Sequence, residues 1–402
     1  MQTQLADFIK DTHQGREAEQ ILRACVHCGF CNATCPTYQL LGDELDGPRG
    51  RIYLMKQMLE GHTPTGKTLS HLDRCLSCRN CETTCPSGVR YGRLVEIGRE
   101  VIEQQVQRSL SERLLRGALR RFLRSPLFGV SLALGRLARP VLPASLRRRV
   151  PESRPAPRRP GRQHARRMLL LEGCVQPALS PDINASAARV LDRLGIELVS
   201  VPAAGCCGAI DQHLGAFEAA RAQIRRNIDA WWPQVQAGAE AIVMTASGCG
   251  AQVKDYGALL ADDPAYAEKA AHIAALTRDL SQVLAEADLS GFRVSRRRIA
   301  FHPPCTLQHG QKLRGVVEGI LTRLGFELLP VADSHLCCGS AGTYSILQGD
   351  IAGRLREDKL HKLQANGPEL IATANIGCQT HLASGSDVPV VHWITLLDPP
   401  AN

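Results

Sequence analysis

Two cysteine runs with identical spacing constrain the N-terminal part of the chain more than any other feature. Both runs follow the pattern C-x2-C-x2-C-x3-C-P, and their cysteines are Cys25, Cys28, Cys31 and Cys35, then Cys75, Cys78, Cys81 and Cys85. In bacterial two-cluster ferredoxins with this spacing, the fourth cysteine of each run binds the cluster of the other run. The pattern therefore predicts two [4Fe–4S] clusters, one held by Cys25, Cys28, Cys31 and Cys85 and one by Cys75, Cys78, Cys81 and Cys35.

The same spacing favours clusters over zinc. Structural zinc sites normally use two separated C-x2-C pairs, whereas here three cysteines are followed by a fourth that precedes proline. Between the two runs, the apolar residues of 50–61 recur at nearly helical spacing. We therefore expect a mainly α-helical ferredoxin-type domain with two clusters over residues 1–100.

The C-terminal part contains an internal repeat. Three cysteines recur 131 residues later and a fourth recurs 129 residues later; the pairs are Cys174 and Cys305, Cys206 and Cys337, Cys207 and Cys338, and Cys249 and Cys378. Each half reads as strand, helix, strand, helix, strand, which predicts a parallel sheet in each of two α/β modules. We place these modules, named CCG modules after their shared Cys-Cys-Gly motif, at residues 168–290 and 291–402.

In each module the four cysteines follow the predicted strands. The carboxyl ends of parallel strands form the crevice in which open α/β sheets bind ligands, so four thiols there suggest a further metal site in each module. The alternative is that they are small buried side chains, but this does not explain the duplication. Adjacent cysteines can share a site only in a turn, which Gly208 would supply.

Four histidines could tune or ligate these sites, or could be ordinary hydrogen-bonding core residues: His213, His302, His335 and His381.

Residues 101–167 form a strongly basic connector. From residue 108 to 167 there are seventeen arginines, no lysine and two glutamates, a charge of +15, so the rest of the chain carries −6 of the net +9. Up to residue 124 an apolar residue recurs at every fourth position, typical of one helix face, and residues 151–167 read as an extended Pro/Arg-rich linker. The connector could pack on its own chain, or dock to an anionic membrane surface or an acidic partner subunit. Nucleic-acid binding is disfavoured, because aromatic residues are scarce and no recognition motif is present.

The sequence also indicates the compartment. No stretch of eighteen apolar residues occurs, and the N-terminus lacks the hydrophobic core of a signal peptide. We therefore expect a cytoplasmic protein, in which thiols stay reduced. The sixteen cysteines are then ligands, nucleophiles or buried small residues, and not a disulfide framework.

Together the motifs resemble the heterodisulfide-reductase-like iron–sulfur family. The resemblance runs from about residue 22 to 381, outside the connector, and is carried by segments such as RACVHCGFCNATCP, AGCCGA and DSHLCCGSAGTY. The family includes iron–sulfur subunits of dehydrogenases for glycolate, lactate and glycerol 3-phosphate, and the segments look most like the glycolate members. The resemblance implies two flavoprotein-type partner subunits, which carry FAD or FMN and oxidise glycolate to glyoxylate. It also implies a peripheral position on the inner face of the cell membrane, where this chain passes electrons to a quinone.

One departure from the family concerns the modules. The catalytic heterodisulfide reductase subunit ends each module in C-x2-C, giving five thiols, whereas here Ala246 and Asn375 stand three residues before Cys249 and Cys378. Four thiols could hold one ordinary iron–sulfur cluster per module, or one module could hold no metal.

No nucleotide-binding motif and no nucleophile–base constellation stands out in the sequence. We therefore expect an electron-transfer subunit of an acceptor-dependent glycolate dehydrogenase, with no catalytic residue and no substrate chemistry of its own. The alternatives are the equivalent subunit of a lactate or glycerol-3-phosphate dehydrogenase, a thiol/disulfide catalyst, and a binding module whose clusters are structural or sense redox state.

Overall fold

The computed structural model describes residues 1–147 and 150–398. The chain divides into two compact units, and the division falls inside two helices. The first unit contains Met1–Gly117 and His335–Leu355, and the second contains Ala118–Ser334 and the chain from Arg356 onward. Two of the connector arginines, Arg148 and Arg149, and the last four residues of the second module lie outside the described residues.

The N-terminal part and the connector are helical. Their helices are α1 His13–Ala24, α2 Pro36–Leu41, α3 Pro48–Leu59, α4 Gly66–Asp73, α5 Asn80–Thr84, α6 Tyr91–Gln105, α7 Leu110–Arg124, α8 Pro126–Ala138 and α9 Ala144–Arg147. The apolar sides of α1, α3, α4 and α6 meet in one core, where Leu22, Met55 and Leu94 are fully buried. The expected mainly helical ferredoxin-type domain is confirmed, and α3 covers the segment between the cysteine runs.

The connector differs in detail from its sequence pattern. The four-residue spacing predicts one continuous helix face from residue 102 to 124, but α6 ends at Gln105 and α7 begins at Leu110. Ile102 is therefore buried in the core of the first unit, whereas Leu110 and Leu114 are exposed. Residues 151–164 have no regular secondary structure, as the composition of the linker predicts.

Each half of the repeat forms a four-stranded parallel sheet, which confirms the predicted fold class. The strands are β1 Arg166–Leu170, β2 Ile196–Ser200, β3 Ile242–Met244, β4 Thr277–Asp279, β5 Arg298–His302, β6 Glu327–Leu329, β7 Leu370–Thr373 and β8 Val390–His392. Their orders are β2-β1-β3-β4 and β6-β5-β7-β8. The sequence predicts three strands per half, and it misses the fourth strand of each sheet, β4 and β8.

Helices connect these strands. They are α10 Gln176–Leu179, α11 Asp182–Arg193, α12 Ala209–His213, α13 Phe217–Gln236, α14 Ser247–Lys254, α15 Tyr256–Leu259, α16 Ala267–Leu276, α17 Leu280–Ala285, α18 Val316–Arg323, α19 Tyr344–Leu347, α20 Gly349–Gln364 and α21 Ile376–Ala383. The helix predicted over 307–325 is interrupted, because Lys312 and Gly315 both have positive φ; a π-helical turn at Thr306–Gly310 precedes the break and α18 follows it. Side chains of both repeats, including Ile183 and Val317, share one hydrophobic core in the second unit.

The segment His335–Leu355 packs within the first unit although it comes from the second repeat. The side-chain amide of Asn80 donates to the carbonyl of His335 at 3.2 Å. The Tyr344 hydroxyl donates to the carbonyl of Arg74 at 3.1 Å. This segment contains Cys337 and Cys338, which the sequence-based limits assign to the second module.

Candidate iron–sulfur sites

The first cysteine run folds into a loop that brings three thiols together. The loop starts where α1 ends, and His27 and Gly29 take positive φ values of 60° and 84°. Gly29 is required here, because a Cβ atom on it would lie 2.6 Å from Nη1 of Arg49. The result is a cavity of about 430 Å³, here named the first cavity, that is lined by Cys25, Cys28, Cys31 and Cys85.

The second run repeats this loop. Ser77 and Arg79 take positive φ values of 52° and 59°, at positions equivalent to those of the first run. A second cavity of about 290 Å³ is lined by Cys35, Cys75, Cys78 and Cys81. Cys81, Pro48 and Tyr91 line both cavities, so the two cavities are direct neighbours.

The donor sets of these cavities suit iron–sulfur clusters. Each cavity is lined by four candidate ligand cysteines, and Cys81, which the spacing predicts for the second cavity, lines the first as well. All sixteen cysteines are free of disulfide bonds. Four soft thiolates are the usual ligand set of a [4Fe–4S] cluster, and the walls around them are partly apolar, with Val26, Ile52 and Val89 in the first cavity. The lining includes Cys85 in the first cavity and Cys35 in the second, and the crossed ligand sets stay a prediction.

The two cavities differ in electrostatics. In the first cavity, burial raises the pKa of Cys25, and burial together with the neighbouring Cys25 thiol raises the pKa of Cys31 to about 11. In the second cavity, burial alone would raise the pKa of Cys75, but the positive charges of Arg51 and Arg99 outweigh it and lower that pKa. In the same cavity, burial and the neighbouring Cys78 and Cys75 thiols raise the pKa of Cys81 well above its ordinary value, so the favourable charges act on Cys75 and not on every thiol.

Buried hydrogen bonds hold the Arg51 side chain in place. Only 1 % of this residue is exposed, and its guanidinium donates to the His71 carbonyl at 2.7 Å and to the Thr37 hydroxyl at 3.1 Å. It also faces the carboxylate of Asp46 at 3.3 Å. The three acceptors fix the cation beside the second cavity, which Arg51 itself lines.

Arg99 supports the same cavity from α6. Its guanidinium donates to the carbonyls of Leu72 and Cys75 at 2.8 and 2.7 Å, and to the Ser77 hydroxyl at 2.8 Å. The backbone N–H of Ser77 and the Tyr91 hydroxyl both donate to the Cys75 sulfur, at 3.4 and 3.6 Å. Sequence reasoning missed these residues, because a pattern of arginines does not reveal which of them are buried.

In the first repeat, four thiols gather beyond the ends of three strands. Cys174 follows β1, Cys206 and Cys207 follow β2, and Cys249 lies on α14 after β3. Cys206 is within hydrogen-bond reach of the Cys174 and Cys207 thiols, and Cys207 is within reach of Cys249. The contacts with Cys174 and Cys207 lower the pKa of Cys206 well below its ordinary value. These four cysteines lie in a row of neighbouring thiols beyond the strand ends, and metal binding there stays a prediction.

A tight turn brings the adjacent pair into this group. Gly208 has φ +91°, the left-handed conformation that glycine adopts without strain. Two buried side chains hold the turn: Asn227 donates to the Cys206 carbonyl at 2.8 Å, and the Tyr256 hydroxyl donates to the Cys207 carbonyl at 2.9 Å. Sequence reasoning named Gly208 but not its two supports, because no local motif links residues twenty to fifty positions apart.

The cysteines of the second repeat are divided between the two units. Cys337 and Cys338 belong to the first unit, where the N–H of Gly339 donates to the Cys337 sulfur at 3.4 Å. Cys305 follows β5 in the second unit, and the side-chain amide of Asn375 donates to the Cys378 sulfur at 3.5 Å. Asn375 is the residue that stands where a fifth thiol would be expected.

The four candidate histidines lie in different environments. Burial, with smaller effects of nearby Lys359 and His381, lowers the pKa of His302 to about 3, so this imidazole stays neutral. Its Nδ1 lies 3.1 Å from the Thr373 hydroxyl. His213 is the last residue of α12, His381 lies on α21, and His335 belongs to the first unit.

These features define an iron–sulfur protein in which a dicluster ferredoxin-type domain precedes two cysteine-rich modules. Residues 21–89 match the family model described as "4Fe-4S dicluster domain", and residues 168–254 and 299–383 match the "Cysteine-rich domain" model. A relative in Escherichia coli K12, the glycolate oxidase iron–sulfur subunit, is 57% identical over 99% of this chain and 98% of its own length. The chain belongs to the family of glycolate oxidase iron–sulfur subunits.

Two further relatives show how far this similarity extends. The probable glycolate oxidase iron–sulfur subunit of Bacillus subtilis 168 is 30% identical over 97% of this chain and 96% of its own length. Lactate utilization protein A of Shouchella clausii is 26% identical over 56% of this chain, although the match spans 95% of that protein. The lactate relatives are thus both more distant and partial.

Proposed function

We propose that the chain is the electron-transfer subunit of a complex that oxidises glycolate. The observation that carries this proposal is the pair of neighbouring four-thiol cavities, which share Cys81 and Tyr91 in their walls. Adjacent one-electron carriers are what a two-electron oxidation on another subunit needs for onward transfer. The full-length similarity to a glycolate oxidase iron–sulfur subunit supports glycolate as the substrate of the complex.

The two clusters have defined positions in this proposal. Cys25, Cys28, Cys31 and Cys85 hold one [4Fe–4S] cluster, and Cys35, Cys75, Cys78 and Cys81 hold the other. When bound, each cluster accepts and releases one electron. The chain's own side chains anchor the clusters through sulfur, place the apolar Ile52 and Val89 in the wall of the first cavity, and place the charge of Arg51 beside the second.

The modules would extend the electron path. In the first repeat, three successive thiol pairs are in contact, and Cys174, Cys206, Cys207 and Cys249 would hold one further iron–sulfur cluster. For the second repeat, the ligand set Cys305, Cys337, Cys338 and Cys378 stays a prediction from the sequence. The absence of a fifth thiol, at Ala246 and Asn375, argues against a thiol/disulfide catalyst.

The proposed complex contains two flavoprotein-type subunits that carry FAD or FMN and oxidise glycolate to glyoxylate. This chain receives their electrons and passes them to a membrane quinone, as a peripheral protein on the inner face of the cell membrane. Among the described residues, no helix is both long enough and apolar enough to cross a bilayer.

Anaerobic purification with counts of iron and acid-labile sulfide tests the clusters, and electron paramagnetic resonance tests their reduction. About eight irons per chain would correspond to the two ferredoxin-type clusters alone, and roughly twelve to sixteen would place clusters in the modules as well. Cys174→Ser is the matched variant: it should lower only the higher count, by about four irons. Zinc-loaded protein without iron, or clusters that co-purified partner subunits cannot reduce with glycolate, would overturn the proposal.

A further inference from the structure

Helix α8 exposes a stripe of large apolar residues and packs its other side, which includes Gly129 and Arg136, against the protein. Five large residues at intervals of three and four positions form one stripe along α8 and the turn after it, and their exposed fractions are Leu127 64%, Val130 56%, Leu134 62%, Leu137 80% and Val141 85%. A surface helix of a globular protein normally turns such a stripe toward the core. In α8 this orientation is reversed, so the stripe is available to a partner.

Contacts on the opposite side of α8 fix this orientation. A Cβ atom on Gly129 would lie 3.9 Å from the Cβ of Ala178, so the helix approaches α10 closely. Arg136 donates from Nη2 to the carbonyl of Leu179 at 2.9 Å and from Nε to the carbonyl of Pro151 at 3.1 Å. The helix therefore cannot bury its leucines by rotating without breaking these bonds.

The end of α7 that belongs to the second unit has the same orientation. Arg120 and Arg124 face the buried carboxylate of Asp211, at 3.6 and 2.7 Å. Phe122 is 40% exposed. Arginines thus hold this part of the connector on the protein, and its exposed residues are Ala118, Arg121 and Phe122.

The charges near the stripe indicate the chemistry of the partner. Within residues 126–138, all of which the structure describes, no exposed side chain is charged. Exposed arginines occur beyond both ends, at Arg121 and Arg147, and the segment from residue 108 to 167 carries +15. An apolar middle between cationic ends is the arrangement of a helix that lies flat in a membrane interface, where leucines enter the acyl boundary and arginines meet lipid phosphates.

We propose that the exposed stripe of α8 binds the surface of an anionic lipid bilayer. A second copy of the chain is a poor occupant, because it would bring two strongly basic segments together. A partner helix in a groove would favour charges along the flanks of the stripe, whereas here the exposed flanking positions are Ser131 and Ala133. The proposal rests on the proposed delivery of electrons to a membrane quinone, for which the chain must reach a bilayer.

Vesicle flotation of the full-length protein tests this surface. The chain should float with vesicles of phosphatidylcholine and phosphatidylglycerol and much less with phosphatidylcholine alone, and added salt should weaken binding. The double variant Leu134→Glu/Leu137→Glu should lose affinity for these vesicles by about tenfold or more, because both positions lose their apolar burial among the acyl chains. Ile346→Glu, at an equally exposed apolar residue on α19, should bind as the unchanged protein does.

Several results would overturn the proposal. These are no binding to anionic vesicles, equal binding by the double variant, and loss of assembly with the flavoprotein subunits in that variant, which would make the stripe a protein interface. Glycolate-dependent reduction of a soluble dye tests the electron-transfer function without requiring membrane binding, so the two proposals can fail independently. The double variant should keep dye reduction and lose only reduction of quinone embedded in vesicles, whereas loss of dye reduction in the unchanged complex would count against the function itself.

Discussion

The first and second cavities are built from the same loop but have different surroundings. Each run lines its cavity with three thiols from a loop with two positive-φ residues, and the last cysteine of the other run lines the cavity as well. Around the first cavity the walls are partly apolar and Cys28 is exposed. Around the second cavity, Arg51 and Arg99 oppose the effect of burial on Cys75. Identical spacing therefore does not mean identical redox properties.

The different surroundings predict which of the two clusters has the higher reduction potential. Reduction adds a negative charge to a cluster, and fixed cations and hydrogen bonds to sulfur stabilise that charge. An arginine lines each cavity, Arg49 the first and Arg51 the second. The second cavity adds Arg99 and the Tyr91 hydroxyl, which act on Cys75 together with Arg51 and the Ser77 N–H. We expect the cluster of the second cavity to have the higher reduction potential, so that electrons pass from the first cavity to the second.

The largest effect should come from replacing a fourth cysteine. Cys35 lies in the first run but lines the second cavity, so Cys35→Ser should remove or damage the cluster that Cys75, Cys78 and Cys81 hold. Iron analysis should show a loss of up to about four irons, and electron paramagnetic resonance should lose the signal with the higher potential. Cys85→Ser is the matched variant and should affect the lower-potential signal. If each variant instead removed the cluster of its own run, the crossed arrangement would be wrong.

A smaller effect should come from removing one cation. Arg99→Met leaves the thiols in place but takes a positive charge from beside Cys75. The potential of the higher-potential cluster should fall by on the order of 60 mV, a tenfold change in a one-electron equilibrium, while the other cluster should stay unchanged.

Two further variants make this measurement specific. Arg99→Lys should restore part of the potential, because it keeps the charge. Arg90→Met, at an arginine whose side chain is 58% exposed and pairs with Glu17, should shift neither cluster. A redox titration in which both potentials fell equally with Arg99→Met would show that the arginine does not distinguish the cavities.

The comparison also shows which features a sequence can predict. The spacing of the cysteines predicts which thiols lie together, because a cluster requires ligands at fixed intervals along the chain. That these thiols bind a cluster stays a prediction. The parallel sheets were predictable as well, since β1, β3, β5 and β7 are short apolar runs bounded by turns. Their positions then place the cysteines at the carboxyl ends of the sheets.

Features that depend on distant contacts were not predictable. Arg51 and Arg99 look like any other arginines, and only the fold shows that Arg51 is buried beside sulfur. The spacing of α8 marks an apolar stripe but does not reveal which way it faces, because its orientation depends on the contact of Arg136 with Leu179. Nor does the repeat reveal that the segment His335–Leu355 packs with the first unit.

The smallest effect concerns one of the differences between the two loops. The residue after the second cysteine is Gly29 in the first run and Arg79 in the second, although both have positive φ. Gly29→Ala should destabilise the first cavity by about 1 kcal/mol, because a left-handed conformation costs an L-residue that much and the new Cβ would lie 2.6 Å from Nη1 of Arg49. Arg79→Gly relieves the same strain in the second loop and should not destabilise it. The effect of each variant is measured as the change in the midpoint temperature at which cluster absorbance is lost under anaerobic conditions. If Arg79→Gly lowered this midpoint more than Gly29→Ala does, the contact of Arg79 with Glu96 at 3.9 Å would outweigh the backbone strain.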